Sequence, residues 1–152
     1  MHTERIQHGV AVLTLLVIVF GGCGSKGTTT VPIRGEVLYN GAPLKNVPQG
    51  LVRYMPKTPE SGRQASGRIQ PDGSFVLTTF KQFDGVVPGD YNIVISAYSS
   101  QPASRQEVEA SGGAGAQPRL IIPKKYLDPT TSGISDIVDS GHSGFKRIDL
   151  TN

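Results

Sequence analysis

This chain is short of the residues that stabilise or equip many small exported domains. Its 152 residues include one cysteine and no tryptophan. A single cysteine excludes an internal disulfide bond. Charged residues make up only 18% of the sequence, so serine, threonine, asparagine, glutamine and glycine must provide much of the surface. That composition is common in exported proteins.

Long apolar runs and clusters of one charge are also missing. The longest apolar run is well short of the ~20 residues that a membrane-spanning helix requires. The formal net charge is only +3, and the only basic doublets are Lys124-Lys125 and Lys146-Arg147. Nucleic-acid binding needs lysine and arginine clustered on one face. We therefore expect no nucleic-acid partner.

Glycine and proline are abundant, with 19 and 11 residues respectively. Together with few helix-forming runs, this composition predicts many turns and short strands. A chain of this length with 37% hydrophobic residues can bury one core, so we expect one domain.

The N-terminal segment has the layout of a signal peptide. An apolar run, VAVLTLLVIVF, extends from Val10 to Phe20 and follows a short polar segment that contains Arg5. Its length of about eleven residues lies within the roughly 7–15 expected of a signal-peptide core. We predict that residues 1–22 are removed and take no part in the fold.

The only cysteine follows this run directly. The sequence Phe20-Gly21-Gly22-Cys23 resembles the lipobox of bacterial lipoproteins, in which the cysteine receives a diacylglyceryl thioether and the chain is cleaved on its N-terminal side. The resemblance implies cleavage between Gly22 and Cys23, lipidation of Cys23, a membrane as partner, and a location in the bacterial cell envelope. An ordinary cleaved signal peptide with a free thiol, or an uncleaved anchor, are the alternatives.

Other roles for this thiol fit its surroundings poorly. Cys23 lies between glycines, in a segment without the periodic pattern of a core strand or helix. A catalytic thiol would need a base, and His142 is the only histidine after the predicted cleavage site. We therefore expect residues 23–30 to form a lipidated flexible tether, followed by a domain over residues 31–152.

Alternating apolar residues and turn signals predict about seven short strands in that domain. The strands are expected at Val31–Tyr39, Leu51–Met55, Ala65–Gln70, Ser74–Thr79, Tyr91–Tyr98, Ile134–Val138 and Lys146–Leu150. Their spacing predicts an all-β fold, a small antiparallel β-sandwich, with a closed barrel as the alternative. We expect the last strand to join a sheet formed by the early strands.

Turn residues predict how the strands connect. Asn40-Gly41 is expected to begin a hairpin whose returning strand is Leu51–Met55, with Pro43 lengthening the connection. Pro71-Asp72-Gly73 is expected to close a second hairpin. Residues 99–117 are rich in serine, glycine and alanine and are predicted to form a mobile loop with one helical turn around 106–110.

The alternation also predicts which side chains fill the core. Because side chains on a strand point alternately to its two faces, every second residue should be buried. The candidate core residues are Ile69, Phe75 and Leu77 in the second hairpin, and Tyr91, Ile93, Ile95 and Ala97 on one face of a later strand.

The order of three segments resembles a known domain family. IRGEVLYNGAPLKNVPQGLVRYMP, GRIQPDGSFVLTTF and GVVPGDYNIVIS are similar to carboxypeptidase regulatory-like and transthyretin-like domains, which have immunoglobulin-like or prealbumin-like sandwiches. With IIPKKYLDPTTSGI and the cysteine leader, the whole chain resembles short lipoproteins of planctomycete bacteria. The resemblance implies a non-catalytic binding or structural module. Related hydroxyisourate hydrolases end in Tyr-Arg-Gly-Ser, whereas this chain ends in FKRIDLTN, so that activity is not expected.

Two further groups of residues were considered as sites. Asp128, Asp136, Asp139 and His142 are the densest set of possible metal ligands, but they lack the fixed spacing of a calcium loop. Ordinary turn-forming roles are the favoured interpretation of these residues. The five tyrosines could stack against a sugar if several were exposed on one face, but half-buried rings with the hydroxyl at the rim are the favoured interpretation; these are Tyr39, Tyr54, Tyr91, Tyr98 and Tyr126.

The sequence therefore predicts a lipid-anchored interaction or structural module that is not an enzyme. We expect no catalytic, cofactor or metal residues, no cofactor, and a partner that is another envelope protein or a glycan. A surface-displayed protein that binds a glycan or other ligand is the alternative function.

Overall fold

The computed structural model describes residues 28–99, 105–110, 112, 118–141 and 144–152. Gly22, Cys23, His142 and much of the predicted loop at 99–117 lie outside these ranges. The described part contains nine strands, one short helix and one 3₁₀ turn at Lys124–Leu127. The strands are β1 Ile33–Tyr39, β2 Ala42–Pro43, β3 Gln49–Pro56, β4 Ala65–Arg68, β5 Ser74–Val76, β6 Gly89–Ser99, β7 Arg119–Leu120, β8 Ser135–Val138 and β9 Gly144–Leu150, and the helix is α1 Arg105–Ala110.

The strands form two sheets, which confirms the predicted all-β sandwich. In the first sheet, β9 pairs with β1 along its full length, and β5 and β2 share the other edge of β1. In the second sheet, β3 lies between β4 and β6, and β7 and β8 share the far edge of β6. The two-residue strands β2 and β7 account for the difference from the expected seven.

The core lies between the two sheets and follows the predicted alternation. Ile69, Phe75 and Leu77 are all buried, as expected. On β6, the side chains that the sequence pattern assigned to one face are also buried; these are Tyr91, Ile93, Ile95 and Ala97. The predicted helical turn is present as α1.

The Asn40-Gly41 turn is present, but its returning strand is not the predicted one. Asn40 and Gly41 have φ angles of 51° and 81°, which both central residues of a type I′ turn require. Tyr39 pairs with Ala42 in β2, so the connection is minimal despite Pro43. Proline is tolerated there because β2 is a short edge strand. Leu51–Met55, within β3, instead lies in the second sheet.

The second predicted hairpin is divided between the sheets. Gln70 N donates to Ser74 O at 2.7 Å, and Ser66 and Thr78 exchange two backbone hydrogen bonds of 2.9 Å. Between these points, however, β4 pairs with β3 and β5 pairs with β1. The turn was therefore predicted correctly, but its two strands belong to different sheets. The hairpin thus connects the two sheets at one edge of the sandwich.

The last strand joins the early strands, as expected, but in a parallel orientation. Ile33 pairs with Gly144 at one end of the ladder and Tyr39 pairs with Leu150 at the other. The prediction of a wholly antiparallel fold is therefore wrong for this pair. The physical reason is that β9 follows β8 of the opposite sheet, and a strand that crosses between sheets is free of the antiparallel constraint of a hairpin.

A glycine allows β1 and β9 to lie together with Phe75 beneath them. A Cβ atom added at Gly35 would lie 1.9 Å from the Lys146 carbonyl oxygen and 2.8 Å from the Phe75 Cζ atom. Contacts below 3 Å do not occur without displacement, and here one of the obstructing atoms is backbone. Gly35 is therefore required by close approach rather than by its φ angle.

We expect Gly35→Ala to lower the free energy of unfolding by about 2–3 kcal/mol, because overpacking forces a ladder strand to move. Chemical denaturation of the protein measures this loss. Gly141→Ala is the matched control, since a Cβ atom at Gly141 meets nothing within 4 Å. Equal stability of the two variants would contradict the close approach of β1 and β9.

Candidate functional site: an exposed apolar patch at the start of the domain

Four of the large apolar side chains that the described residues expose belong to one region. Val76, Phe80, Phe83 and Phe145 are 37%, 55%, 59% and 60% exposed, and we call them the apolar patch. Arg34 of β1 pairs with Val76 on one side and with Phe145 on the other, so these three residues form a row across the outer face of the first sheet. Val76, Phe83 and Phe145 also line one groove, and grouped exposed apolar side chains of this kind mark sites of interaction.

The two remaining phenylalanines of the patch are presented by the loop from Thr78 to Gly85. The Asp84 carboxylate accepts hydrogen bonds from the backbone N–H groups of Thr79, Phe80 and Lys81, at 2.7–2.9 Å. Phe83 N donates to the Thr78 hydroxyl at 3.0 Å. The Asp84 carboxylate and the Thr78 hydroxyl therefore hydrogen-bond within the loop, whereas the rings of Phe80 and Phe83 are exposed.

Phe83 has a backbone conformation that is rare for its residue type. Its φ angle is +62°, in the left-handed region that costs an L-residue roughly 1–2 kcal/mol. Such conformations persist only where the surrounding structure holds them. The hydrogen bonds of Asp84 and Thr78 provide that restraint, so the loop presents Phe83 in a fixed position.

The charge of Asp84 is part of the same arrangement. Desolvation raises the pKa of its carboxyl group, but the hydrogen bonds from Thr79, Lys81 and Phe80 together outweigh it, so the pKa is lowered. The ionised carboxylate is therefore the form that organises the loop.

Two recesses border the apolar patch. An open groove of about 410 Å³ has walls that include Pro32, Ile33, Arg34, Val76, Phe83 and Phe145. A second recess of about 380 Å³ lies between the loop and the first described residues of the chain, and is lined by Thr28, Thr30, Phe80, Lys81 and Asp84. The patch therefore lies beside the point where the chain enters the domain.

A separate polar cluster lies at the edge of the sandwich formed by β8 and β9. Asp136 of β8 accepts a hydrogen bond from Tyr54 Oη at 3.1 Å and an ion-paired one from Lys146 Nζ at 2.7 Å. Burial, followed by the charge and hydrogen bond of Asp136, strongly raises the pKa of Tyr54. Tyr54 therefore remains a donor, and the cluster joins β9 of the first sheet to the second.

Two of the candidate metal ligands, Asp128 and Asp136, have structural roles. Asp128 Oδ1 accepts hydrogen bonds from the backbone and hydroxyl of Thr130, at 2.7 and 2.6 Å, and so stabilises a turn. Asp136 belongs to the polar cluster, Asp139 is exposed after β8, and His142 is outside the described residues. Across those residues, no three His, Cys, Asp or Glu side chains are grouped to hold a metal ion.

The tyrosines do not form the exposed platform considered for sugar stacking. Tyr54, Tyr91 and Tyr126 are buried, and the first two rings contact each other with centroids 5.6 Å apart. Tyr39 and Tyr98 are half-buried and lie in different sheets. In the part of the chain that the structure describes, the most exposed aromatic side chains are instead Phe80, Phe83 and Phe145.

The sequence reasoning missed the apolar patch, although signals for part of it were present. Along β9, Phe145 falls on the same face as the exposed Arg147 and Asp149. The buried Ile148 and Leu150 fall on the opposite face, so Phe145 belongs to the outer face. Phe80 and Phe83 stand in a polar loop, TTFKQFDG. The sequence pattern could not show that the loop and β9 lie side by side, because the two segments are far apart in sequence.

Comparison with known proteins gives no assignment. No family model matches the chain, and no curated protein or solved structure is detectably similar to it. Within the described ranges, none of the helices has the length and hydrophobicity needed to cross a bilayer. The functional assignment therefore rests on the chemistry of this chain.

We expect Lys146→Met to lower the free energy of unfolding by about 1–3 kcal/mol, because it removes the cation that pairs with the part-buried Asp136 carboxylate. Denaturation by urea measures the loss, and a double-mutant cycle with Tyr54→Phe measures their coupling.

The control for that variant is Arg147, which lies next to Lys146 on β9 and forms an ion pair with Glu36 of β1. Arg147 bonds Glu36 at 2.7 Å, but these side chains are 63% and 24% exposed, against 35% and 14% for Lys146 and Asp136. We expect Arg147→Met to cost less than about 1 kcal/mol. A greater loss for Arg147→Met than for Lys146→Met would contradict the structural role of the cluster.

The lowered pKa of Asp84 predicts acid sensitivity. A carboxyl group whose pKa is lower in the folded state stabilises the fold above its ordinary value of 3.8, and this contribution is lost as the pH falls through the folded-state pKa. We expect Asp84→Asn to show a smaller fall in melting temperature between pH 6 and about 2.5. Phe83→Ala, which keeps the carboxylate, should retain the parental pH dependence; parallel pH profiles for the parent and Asp84→Asn would contradict the assignment.

Proposed function

We propose that this chain is an exported, lipid-anchored protein of the bacterial cell envelope whose β-sandwich is a non-catalytic interaction or structural module. The observation that carries the proposal is the position of Cys23, which follows an apolar leader and Gly21-Gly22. Lipidation of Cys23 and cleavage after Gly22 would remove this leader and leave the lipid on Cys23 as the anchor.

The start of the domain supports this reading. Val31 is buried and exchanges backbone hydrogen bonds of 2.7 and 2.9 Å with Val86. Only residues 24–30 separate this fixed point from Cys23, so an anchor at Cys23 would hold the sandwich close to the membrane. Two or three acyl chains would hold it stably, since each buried methylene contributes about 0.8 kcal/mol.

The non-catalytic part of the proposal is supported by what the polar side chains do. Tyr54 and Lys146 are bonded to Asp136, and Asp84 and Asp128 accept hydrogen bonds from nearby residues of their own loops. Each of these groups therefore stabilises the fold. The apolar patch, in contrast, has no role in the core and is available for contact.

The resemblance to carboxypeptidase regulatory-like and transthyretin-like domains points the same way. The turn signals that carry the resemblance form real turns: Asn40-Gly41 connects β1 to β2, and Asp72 Oδ1 accepts a hydrogen bond from Ser74 N at 2.9 Å. We propose membership of that group, in which a sandwich serves as a binding or structural module.

We expect Cys23→Ala to move the protein from the membrane fraction to the soluble fraction, because the side chain that accepts the lipid is removed. Fractionation of cells, with circular dichroism of the purified protein, measures the loss of anchoring and the unchanged fold. Ser25→Ala is the control and should remain in the membrane fraction.

Intact-mass analysis tests the same proposal directly. The membrane-extracted protein should begin at Cys23 and carry acyl groups. An unmodified thiol, or a chain that retains Met1, would refute the lipid anchor.

A further inference from the structure

We infer that the apolar patch is a membrane-contacting surface, and that its occupant is the lipid bilayer in which the chain is anchored. The inference rests on the proposed function, because it requires an acylated Cys23. It adds a second, non-covalent contact between the sandwich and the membrane, and it fixes which end of the domain faces the lipid.

The apolar patch lies beside the start of the domain. Thr28 and Thr30 line the same recess as Phe80. Val31 is hydrogen-bonded to Val86, which directly follows the loop that carries Phe80 and Phe83. The chain thus enters the domain at the side of the patch.

The chain between Cys23 and Thr28 is short. Only residues 24–27 lie between Cys23 and Thr28. A fully extended chain advances at most ~3.3–3.6 Å per residue, so the lipid-bearing cysteine lies within about 18 Å of Thr28. A thioether in the headgroup region therefore keeps the patch within reach of the bilayer.

The patch combines exposed aromatic rings with neighbouring cations. Exposed aromatic rings beside cations suit a membrane interface, where the rings enter the boundary of headgroups and acyl chains and the cations meet lipid phosphates. Arg34 lies between Val76 and Phe145 in the row across β5, β1 and β9, and Lys81 lies between Phe80 and Phe83 in sequence. Both cations are exposed.

The loop is also built in advance for such a contact. Its backbone N–H groups at Thr79, Phe80 and Lys81 are bonded to Asp84, so insertion of the rings would not carry unsatisfied amides into an apolar medium. The positive φ angle of Phe83 is held by the same loop. The surface is therefore ordered before it meets a membrane.

Single tryptophans test the inference, because the chain has none of its own. The acylated full chain carrying Phe83→Trp or Phe145→Trp is reconstituted in vesicles of phosphatidylethanolamine and phosphatidylglycerol with brominated acyl chains. For both variants the emission should shift to shorter wavelength and lose more than about half of its intensity, because the indole enters the interface.

Ile137→Trp is the matched control. Ile137 is 64% exposed, close to the value for Phe145, but it lies on β8 of the second sheet. Its tryptophan should remain quenchable by aqueous acrylamide and unaffected by bromine. Equal behaviour of all three variants would overturn the inference.

A charge variant gives an independent readout. Adding Phe83→Asp to the Phe145→Trp protein should restore the emission quenched by bromine, because a carboxylate beside the rings opposes insertion. Emission that stays quenched would overturn a shared insertion of the patch.

The remaining outcomes separate this inference from the proposed anchor. Protection from acrylamide without bromine quenching would indicate a protein partner or a second copy on the patch, and would overturn the inference. An acylated chain whose Phe83→Trp indole stays in water would overturn the inference alone. An intact mass that shows no acyl group on Cys23 would overturn the anchor, and the inference with it.

Discussion

The pairing of β1 with β9 is the contact on which the rest of the sandwich depends. The first strand bonds β9 on one edge and β5 and β2 on the other, so it is the centre of its sheet. Through β9 it also brings Lys146 to Asp136 of the second sheet. The ladder is possible because Gly35 has no Cβ atom where the Lys146 carbonyl passes. Loss of this pairing would free the last strand and open the edge that the ion pair joins.

Hydrogen bonds within the loop hold the segment that carries Phe80 and Phe83. Exposed phenylalanine forgoes the stabilisation of roughly 1.5–3 kcal/mol that burial would give, so the loop must be held by other contacts. The Asp84 carboxylate accepts three hydrogen bonds from the backbone N–H groups of the loop. Hydrogen bonds to Asp84 thus hold the loop, while the rings of Phe80 and Phe83 remain exposed. Exposed rings on an ordered loop mark it as a surface for contact.

The sequence was sufficient for most of the strands and insufficient for their partners. The strand at 91–98 was predicted because its alternation is strong, and its buried face was assigned correctly. Asn40-Gly41 and Pro71-Asp72-Gly73 were both recognised as turns, because positive φ angles and Asx bonding are local properties. Neither turn could reveal that β3 and β4 join the second sheet, because the choice of sheet depends on contacts distant in sequence.

The sequence pattern predicts Cys23 as a lipidation site but did not predict the apolar patch. Cys23 stands out because the predicted leader and the cysteine are contiguous in sequence. The apolar patch combines a loop with β5 and β9, more than sixty residues apart, so no local pattern contains it. Sugar stacking by the tyrosines could not be decided from the sequence for the complementary reason, since residue type alone does not distinguish a buried ring such as Tyr54 from an exposed one.

The parallel orientation of the first and last strands gives the domain two distinct poles. Ile33 and Gly144 lie at the pole of the apolar patch, whereas Tyr39 and Leu150 lie at the other, where Tyr39 Oη hydrogen-bonds Asn152. A strand of this length spans roughly 20 Å. A fluorophore or affinity tag attached at Asn152 would therefore project away from the apolar patch, and would report on the far side of the domain without covering that patch.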